Sequence, residues 1–377
     1  MVLQCARLAW TLRQRHALAA IPARPEVGQP AAFPPVSVVV PARNEALTIG
    51  ECLTGARHQT YPGLEIVVVD DCSEDQTSAI VRAHAACDRR VSLIDGAPLP
   101  SGWIGKSWAL HQGARAAGGE WLLFVDADTR LLPGGVAGAV AEARRRGASM
   151  LSAFTRQELV TVWERIVQPA VFGTLAEAIP IDFVNSPRLP GFALANGPFV
   201  LIHRDAYRTL GGHAAIKGQI SDDSLFARRA KQLGQRYWLG DGRDLATTRM
   251  YRTPAGLWEG WTKNLHVGAR LLSWLVVPAL LIQVATAAAP FGCLYRAART
   301  RSRSLAAAGS LQLVAAIAQR RALDAFLGVP WAYSLLQPVG QLAFLLLVGG
   351  SFGKVLTRRG VTWKGRRYFP TLTGADG

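Results

Sequence analysis

The sequence lacks both glycine-rich motifs that commonly hold a phosphate at the start of a helix. No G-x-G-x-x-G follows the first predicted strand, and no G-x-x-x-x-G-K-[ST] occurs among the 377 residues. The first absence removes the main support for a nicotinamide- or flavin-binding domain, and the second excludes a P-loop. A nucleotide bound by this chain would have to be held by other side chains.

Cysteine is scarce and irregularly spaced. The five cysteines form no C-x-x-C pair, and their number is odd. This pattern excludes a disulfide framework and a zinc signature. We therefore expect reduced thiols in a domain that faces the cytosol.

Acidic residues are scarce in the last third of the chain. The formal charge is +16, and residues 265–377 hold 13 Lys and Arg against 2 Asp and Glu, a surplus of 11. The long apolar runs lie in the same region, so the basic residues predict contact with anionic membrane lipids. We expect no nucleic-acid partner, because the basic residues are not interleaved with aromatics on a soluble module.

Two apolar runs, 271–291 and 331–350, are long enough to cross a bilayer, and a shorter run at 305–318 is a third candidate. The number of spans and the side of the C-terminus stay open, because two or three spans each break the positive-inside rule. The predicted organisation is an amphipathic membrane-associated helix with a proline-rich linker at 1–35 (or a truncated anchor), a catalytic domain at 36–264, and a transmembrane region with a basic tail at 265–377.

Strands and helices alternate after residue 36. The runs VSVVVPA, EIVVVDD, VSLID and EWLLFVDAD are apolar and mostly β-branched, and helical stretches separate them. This alternation predicts an α/β fold with a mostly parallel, Rossmann-like sheet. Residues 157–184 form a longer apolar stretch that is too polar to span a membrane, and we expect an interfacial or core helix there.

Four carboxylates follow these strands: Asp70, Asp71, Asp126 and Asp128. Ligands bind parallel sheets at the carboxyl ends of the strands, so the four side chains are expected at one edge of the sheet. Asp126 and Asp128 are separated by one alanine, and two interpretations stay open. They could form a turn at the end of the strand, or they could bind Mg²⁺ or Mn²⁺, which prefer oxygen ligands.

Several motifs together resemble a known family. PARNEALTIGECL, VVVDDCSEDQT and FVDADT resemble the nucleotide-binding half of family 2 glycosyltransferases with the GT-A fold. ANGPFVLIHRDAYRTLGGH and SDDSLFARRAKQLG resemble the acceptor half. GWIGKSWALHQG, RMY, EGWTKN and GVTWKGRRY are similar to membrane-bound members that glycosylate hydrophobic lipids, such as the diaponeurosporenoate (carotenoid) and hopanoid-associated glycosyltransferases.

The resemblance implies roles for individual residues on the donor side. The implied nucleotide-sugar-binding residues are Pro41, Arg43, Glu45, Asp70, Asp71, Lys106, Asp126 and Lys263. One aspartate of the pair 70–71 is expected to accept the uracil N–H, and the other to support a loop. In the D-x-D pair, we expect Asp128 on the metal and Asp126 nearer the ribose. Asp71 capping a helix and Lys106 as a solvated lysine are the simpler alternatives.

On the acceptor side, the resemblance implies Asp223 as the general base, with Asp222 in place of the family's usual glutamate. Acids in a first helical turn are also stabilised by the helix dipole without any catalytic role. An acceptor that is already a carboxylate would need orientation by Asp223 more than deprotonation. Asn196, Gly197 and Trp261 are implied on the acceptor side, and the Q-x-x-R-W motif of polymerising members is absent.

The resemblance thus implies a membrane-bound hexosyltransferase. It would move a sugar once, with inversion and with Mg²⁺ or Mn²⁺, from a UDP-sugar to a carotenoid or another isoprenoid or hopanoid lipid. The implied location is the inner membrane, with several spans and the catalytic domain in the cytoplasm. The alternatives are a polyprenyl-phosphate sugar transferase and a non-catalytic membrane scaffold with the same fold.

Overall fold

The computed structural model describes residues 2–23, 33–219, 222–271, 273–356, 361–363 and 366–368. The contacts divide the chain into two units. The sheet unit comprises Leu18–Glu158 and Ile179–Met250, and the helical unit comprises Met1–Ala17, Leu159–Ala178 and Tyr251–Gly377. The predicted domain boundaries at residues 35 and 264 stay predictions, and each unit is described by itself.

The sheet unit is built around a seven-stranded, mostly parallel sheet with the order β3-β2-β1-β4-β8-β6-β9. Its strands are β1 (Val36–Ala42), β2 (Leu64–Asp70), β3 (Val91–Asp95), β4 (Trp121–Val125), β6 (Met150–Phe154), β8 (Phe199–His203) and β9 (Tyr237–Asp241). Only β8 runs antiparallel to its neighbours, β4 and β6. The predicted α/β fold with a mostly parallel sheet is therefore confirmed.

Helices cover the sheet because its central strands are apolar on both faces. In β1 and β4 the valine and leucine side chains are almost fully buried, as in parallel sheets that are packed on both sides. The helices of this unit are α2 (Ile49–Arg57), α3 (Thr77–Cys87), α4 (Gly105–Ala116), α5 (Gly135–Arg146), α7 (Ile181–Val184), α8 (Arg204–Thr209) and α9 (Asp222–Gln232), with a 3-10 turn at Gly212–Ile216.

A small second sheet lies just after the D-x-D pair. Its strands are β5 (Thr129–Leu131), β7 (Arg156–Gln157) and β10 (Ala246–Thr248), in the order β5-β10-β7. The buried hydroxyl of Thr248 lies 2.8 Å from that of Thr129 and 2.8 Å from that of Thr155. These contacts fix the backbone immediately after Asp128. The D-x-D pair is therefore held by β4 before it and by β5 after it.

The helical unit contains six long helices, counted among the residues described above, and a short hairpin. The helices are α1 (Val2–Ala17), α6 (Val162–Ala178), α10 (Pro254–Leu271), α11 (Ser273–Thr300), α12 (Arg303–Leu327) and α13 (Gln337–Leu356), with a 3-10 turn at Trp331–Leu336 and a hairpin of β11 (Val361–Trp363) and β12 (Arg366–Tyr368). Within the described chain, one segment, Trp331–Lys354, is long and apolar enough to cross a membrane.

That segment contains the predicted span at 331–350. The predicted span at 271–291 coincides largely with α11, and residue 272 within it lies outside the described residues. The run at 305–318 belongs to α12, and neither α11 nor α12 is among the candidate spans found in the described part. The number of spans therefore stays a prediction.

Helix α1 packs inside the helical unit through a polar face. Arg7 donates to both carboxylate oxygens of Glu177 on α6, at 3.1 and 3.0 Å, and to the Thr286 hydroxyl on α11 at 2.6 Å. Gln4 and Thr11 on the same helix are 3% and 6% exposed. The sequence predicts an amphipathic helix here, and the structure shows that the buried polar side chains Gln4, Arg7 and Thr11 face other helices of the unit.

Candidate functional site

The carboxyl ends of β1, β2 and β4 meet at one edge of the large sheet. Ala42 at the end of β1 is paired with Asp70 at the end of β2, and Val39 is paired with Phe124 in β4. Asp71 directly follows β2, Asp126 directly follows β4, and Asp128 comes two residues after Asp126. The sheet therefore delivers the four predicted carboxylates to the same edge.

Asp70 supports the loop that precedes α3. It is 7% exposed, its Oδ1 accepts a hydrogen bond from the Ser73 backbone N–H at 3.0 Å, and its Oδ2 accepts one from the Ser78 hydroxyl. Gly96 packs against the same turn, where a Cβ would lie only 2.6 Å from the Asp70 carbonyl oxygen. Both carboxylate oxygens of Asp70 are thus used inside the protein.

Arg43, which follows β1, stabilises the same loop. Its Nη1 donates to the carbonyl oxygens of Asp71 and Cys72, at 2.6 and 2.8 Å. Cys72 has a φ of 55°, a left-handed conformation that is uncommon for a residue other than glycine. Because the guanidinium binds both carbonyls, it stabilises this turn and presents Asp71 at the edge of the sheet.

Glu45 and Pro41 lie beside this loop. The Glu45 carboxylate accepts a hydrogen bond from the Thr48 hydroxyl at 2.9 Å, and its backbone N–H donates to the Thr77 hydroxyl at 2.8 Å. Pro41 is half-buried within β1. The structure thus brings both predicted residues to the edge of the sheet, with Glu45 also joining the starts of α2 and α3.

Lys106 contributes a positively charged side chain to the site. Its Nζ lies 2.6 Å from Asp126 Oδ1, and the two side chains are 37% and 26% exposed. At Gly197, a Cβ would lie 3.4 Å from Lys106 Nζ and 2.8 Å from Asp223 Oδ2. Lys106, Asp126, Gly197 and Asp223 therefore converge on one place, although they are far apart in the sequence.

Asp223 stands in the first turn of α9. Its Oδ1 accepts a hydrogen bond from the Ser224 backbone N–H at 2.7 Å, and Ser224 in turn accepts one from the Ala195 N–H at 3.2 Å. These contacts join the start of α9 to the segment before Gly197. The side chain of Asp222 and residues 220–221 lie outside the described residues.

Asn196 serves the backbone of the sheet. Its side-chain amide donates to the Ala153 carbonyl at 2.8 Å, and its backbone N–H donates to the Ser152 hydroxyl at 2.7 Å. It therefore positions Gly197. Trp261 and Lys263 belong to α10 of the helical unit, where the indole of Trp261 packs edge-to-face on Phe172 at 5.5 Å.

Several carboxylates create a negative field beside α2. Burial raises the pKa of the Cys52 thiol above its usual range, and the charges of Asp128, Glu45 and Asp126 raise it further. Among the residues described, no three His, Cys, Asp or Glu side chains are placed to hold a metal by themselves. Two carboxylates at the exposed edge nevertheless fit Mg²⁺ or Mn²⁺, which are usually bound by one or two carboxylates with phosphate and water completing the shell.

The comparisons with known proteins agree with this architecture. Residues 37–211 match the model of the family described as glycosyl transferase family 2, and the match covers β1 to β8 with their intervening helices. This segment is a family 2 glycosyl transferase domain.

Relatives of the family 2 domain carry related names. The chain is 28% identical over 239 residues to the 4,4'-diaponeurosporenoate glycosyltransferase of Staphylococcus haemolyticus, which covers 62% of this chain and 62% of that protein. It is 27% identical over 240 residues to the protein of the same name from Staphylococcus aureus strain MRSA252, over 62% and 61% of the two chains. The match thus spans about three fifths of the length of these relatives.

A solved structure supports the GT-A fold of the family 2 domain. The mannosyltransferase PcManGT from Pyrobaculum calidifontis, in complex with GDP-Man and Mn²⁺, aligns with 89% of this chain and 94% of its own, with a TM-score of 0.53 and 21% sequence identity. At this identity, the likeness establishes the fold. The expected GT-A fold is therefore confirmed.

Two features of the sheet unit add detail beside the predicted site residues. The direct pairing of Lys106 with Asp126 joins α4 to the end of β4, and only the pattern G-K-S before an apolar helix marks it. His213 is 4% exposed, its Nδ1 lies 2.9 Å from the Tyr207 hydroxyl, and burial lowers its pKa to about 3. It is a neutral core histidine beside the site.

Proposed function

We propose that this chain is a membrane-associated, inverting glycosyltransferase that moves one sugar from a UDP-sugar to a hydrophobic lipid. The observation that carries the proposal is the convergence of Lys106, Asp126 and Asp223, with Asp128 just beyond, at the carboxyl edge of a family 2 domain. A cation and carboxylates placed in this way match a diphosphate leaving group on one side and an attacking hydroxyl on the other.

The donor side holds the nucleotide sugar. In this proposal, Asp71 accepts the N–H of the base, while Asp70 and Arg43 hold the loop that presents it. Asp126 hydrogen-bonds the ribose, and Lys106 turns from Asp126 to the diphosphate as the donor enters. Pro41 and Glu45 line the part of the site that holds the nucleobase. Lys263 contributes a further positive charge.

Asp128, assisted by Asp126, would hold Mg²⁺ or Mn²⁺. When bound, the cation neutralises the charge that develops on the departing diphosphate. The similar mannosyltransferase PcManGT was solved with Mn²⁺ and GDP-Man, which supports a divalent cation. Because that structure contains GDP-Man, a guanine-nucleotide sugar is the alternative donor to test.

Asp223 removes the proton of the acceptor hydroxyl as its oxygen attacks the anomeric carbon from the face opposite the nucleotide. The bond to the diphosphate breaks in the same displacement, so the configuration at that carbon inverts. Asp222 adds negative charge to the first turn of α9. Gly197 leaves room for the Asp223 carboxylate, because any Cβ at position 197 would overlap it. Asn196 fixes the position of Gly197.

The acceptor is proposed to be a lipid because the named relatives are diaponeurosporenoate glycosyltransferases and because Trp331–Lys354 is apolar enough to lie in a membrane. Trp261 would line the acceptor site. Further spans, contacts of the basic tail with anionic lipids, and a catalytic unit on the cytoplasmic side of the inner membrane are parts of the same proposal.

The proposal is tested by incubating the full chain, purified in detergent, with radiolabelled UDP-glucose, UDP-galactose, UDP-N-acetylglucosamine or GDP-mannose and a bacterial lipid extract. We expect one uridine donor to label lipid only when Mg²⁺ or Mn²⁺ is added. Labelling of polyprenyl phosphate alone would instead support a polyprenyl-phosphate sugar transferase. If no nucleotide sugar is consumed or shifts the melting temperature, with or without metal, the chain is a scaffold.

A further inference from the structure

Two buried polar side chains in the helical unit have no hydrogen-bond partner. Gln168 on α6 is 0% exposed, and neither its Oε1 nor its Nε2 is paired. Trp261 on α10 is 3% exposed, and its Nε1–H is also unpaired. Leaving a buried donor or acceptor unsatisfied costs about 1–3 kcal/mol per group, so native proteins rarely keep such groups without a function.

The two side chains belong to adjoining surfaces. Phe172 is four residues after Gln168, so both lie on one face of α6, one turn apart. The Phe172 ring meets the Trp261 ring edge-to-face, with centroids 5.5 Å apart and an interplanar angle of 83°. Tyr251 contacts the same indole, at 5.9 Å between centroids. Phe172 therefore links the face of α6 that carries Gln168 to the indole of Trp261.

Neighbouring polar groups on that face of α6 are already occupied. Glu164, one turn before Gln168, is 2% exposed, and its carboxylate accepts hydrogen bonds from the backbone N–H groups of Val160 and Thr161. These contacts form a capping box that starts the helix. Its engaged carboxylate explains why Gln168 finds no partner on its own face.

Two other buried glutamines of the helical unit have hydrogen-bond partners. Gln283 is 4% exposed, and its Oε1 accepts a hydrogen bond from Gln341 at 2.8 Å. Gln319 is 7% exposed and donates to the Thr11 hydroxyl at 3.1 Å. Gln4 and Gln157 each leave the amide oxygen unpaired. Among the buried glutamines of the described residues, Gln168 is the one whose amide oxygen and nitrogen are both unpaired.

We propose that Gln168 and the Trp261 N–H bind the uncharged polar end of an amphipathic lipid, an alcohol or a carboxylic acid in its neutral form. This inference rests on the proposed function, since it names the chemical class of the acceptor. The two side chains offer two kinds of donor and one acceptor. An O–H group both donates and accepts, so it satisfies Gln168 Oε1 together with the N–H groups.

Other ligands fit these atoms less well. An ionised carboxylate only accepts hydrogen bonds, so it would leave Gln168 Oε1 without a donor, and its charge would be desolvated among Phe172, Tyr251 and Trp261. A pure hydrocarbon would leave all three polar atoms unsatisfied. Selection for a hydroxyl-bearing lipid follows from the same argument, because sites built to hydrogen-bond a hydroxyl reject analogues that lack it.

The test uses the full chain in detergent micelles, with hexadecanol and hexadecane as probes, and the variants Gln168→Leu and Trp261→Phe. Gln168→Leu removes polar atoms and nearly keeps the packing volume, whereas Trp261→Phe removes the N–H together with part of the buried ring. We expect hexadecanol, and not hexadecane, to raise the melting temperature of the native chain. Gln168→Leu should keep or raise the melting temperature of the unliganded chain, and each variant should weaken hexadecanol binding about 10-fold, the effect of one lost hydrogen bond.

The matched control is Gln283→Leu, which removes a paired glutamine of the same unit. It should lower the melting temperature and leave the affinity for hexadecanol unchanged. Hydrolysis of the sugar nucleotide without a lipid should be the same in the native chain, Gln168→Leu and Gln283→Leu, so failure of the donor chemistry is seen separately. If Gln168→Leu destabilises the protein as Gln283→Leu does and binds hexadecanol normally, or if both probes act equally, the inference is wrong.

Discussion

At the scale of single residues, Asp223 is the side chain on which the proposed chemistry depends most. Asp223→Asn keeps the shape of the carboxylate and its hydrogen bond from the Ser224 N–H, and it removes the basic oxygen. We expect kcat for an alcohol acceptor to fall by about 10²–10⁴-fold, the usual contribution of a general base, while binding of the sugar nucleotide is kept. Single-turnover kinetics and calorimetry measure the two quantities. Normal turnover of Asp223→Asn would remove its assigned role.

Gly197 offers a test that relies on space alone. A Cβ at this position would lie 2.8 Å from Asp223 Oδ2, so Gly197→Ala must displace the carboxylate. We expect transfer to fall at least about 10-fold with little change in the melting temperature, since a small misplacement of a catalytic group is costly. Gly191→Ala is the matched control, because a Cβ there meets nothing within 4 Å. Equal activity of the two variants would contradict the described convergence.

His213 predicts a pH effect on stability. Its folded pKa is about 3 because of burial, whereas the unfolded side chain has a pKa near 6.5. Between pH 6.5 and pH 3, His213 is protonated in the unfolded chain but stays neutral in the folded chain. This residue therefore lowers the free energy of unfolding progressively as the pH falls from 6.5 towards 3. His213→Gln, which does not titrate, should flatten the decline in melting temperature over this range. An unchanged slope would show that His213 protonates in the folded protein.

At the scale of elements, the polar contact between α1 and α6 should stabilise the helical unit. The Arg7 and Glu177 side chains are 13% and 16% exposed, so removing one leaves a charge with little access to water. We expect Arg7→Ala or Glu177→Ala to lower the free energy of unfolding by about 3 kcal/mol. The double variant Arg7→Ala with Glu177→Ala should lose less than the sum of the two single losses, which a double-mutant cycle in detergent measures. Strict additivity of the single losses would contradict a direct interaction.

The strands were predictable because their signal is local. The structure has β1 at Val36–Ala42 and β3 at Val91–Asp95, as the β-branched runs predict, and β2 is shifted by one residue. β4 ends at Val125, where the apolar run ends and three residues before the end of the predicted strand EWLLFVDAD, and the next residue, Asp126, contacts Lys106. The antiparallel β8 was not predicted, since its partners β4 and β6 are distant in sequence.

The sequence motifs predict which residues gather at the candidate site, but they do not predict the contacts of the individual side chains. The edge that gathers Asp70, Asp71, Asp126 and Asp128 follows from strand direction alone. The hydrogen bonds that engage both oxygens of Asp70 come from Ser73 and Ser78, which no spacing rule identifies. The inward-facing polar side of α1 depends on contacts over more than 150 residues of sequence, so periodicity could suggest only an amphipathic helix.

At the scale of the whole molecule, the proposed donor site belongs to the sheet unit, and the helical unit carries Trp261, Lys263 and the candidate span. Asp128 bears most directly on the central claim, which is metal-dependent transfer from a sugar nucleotide to a lipid. The native chain, Asp128→Ala and Asp223→Asn should be compared for consumption of the active donor as Mn²⁺ is titrated.

The decisive measurement is transfer of radiolabelled sugar from that UDP-sugar to extractable lipid by the purified full chain, with Mn²⁺ or with chelator. We predict labelled lipid only with the metal, loss of labelling in Asp128→Ala, and donor binding without transfer in Asp223→Asn. Full lipid labelling by both variants, or by the native chain in chelator, would contradict the account.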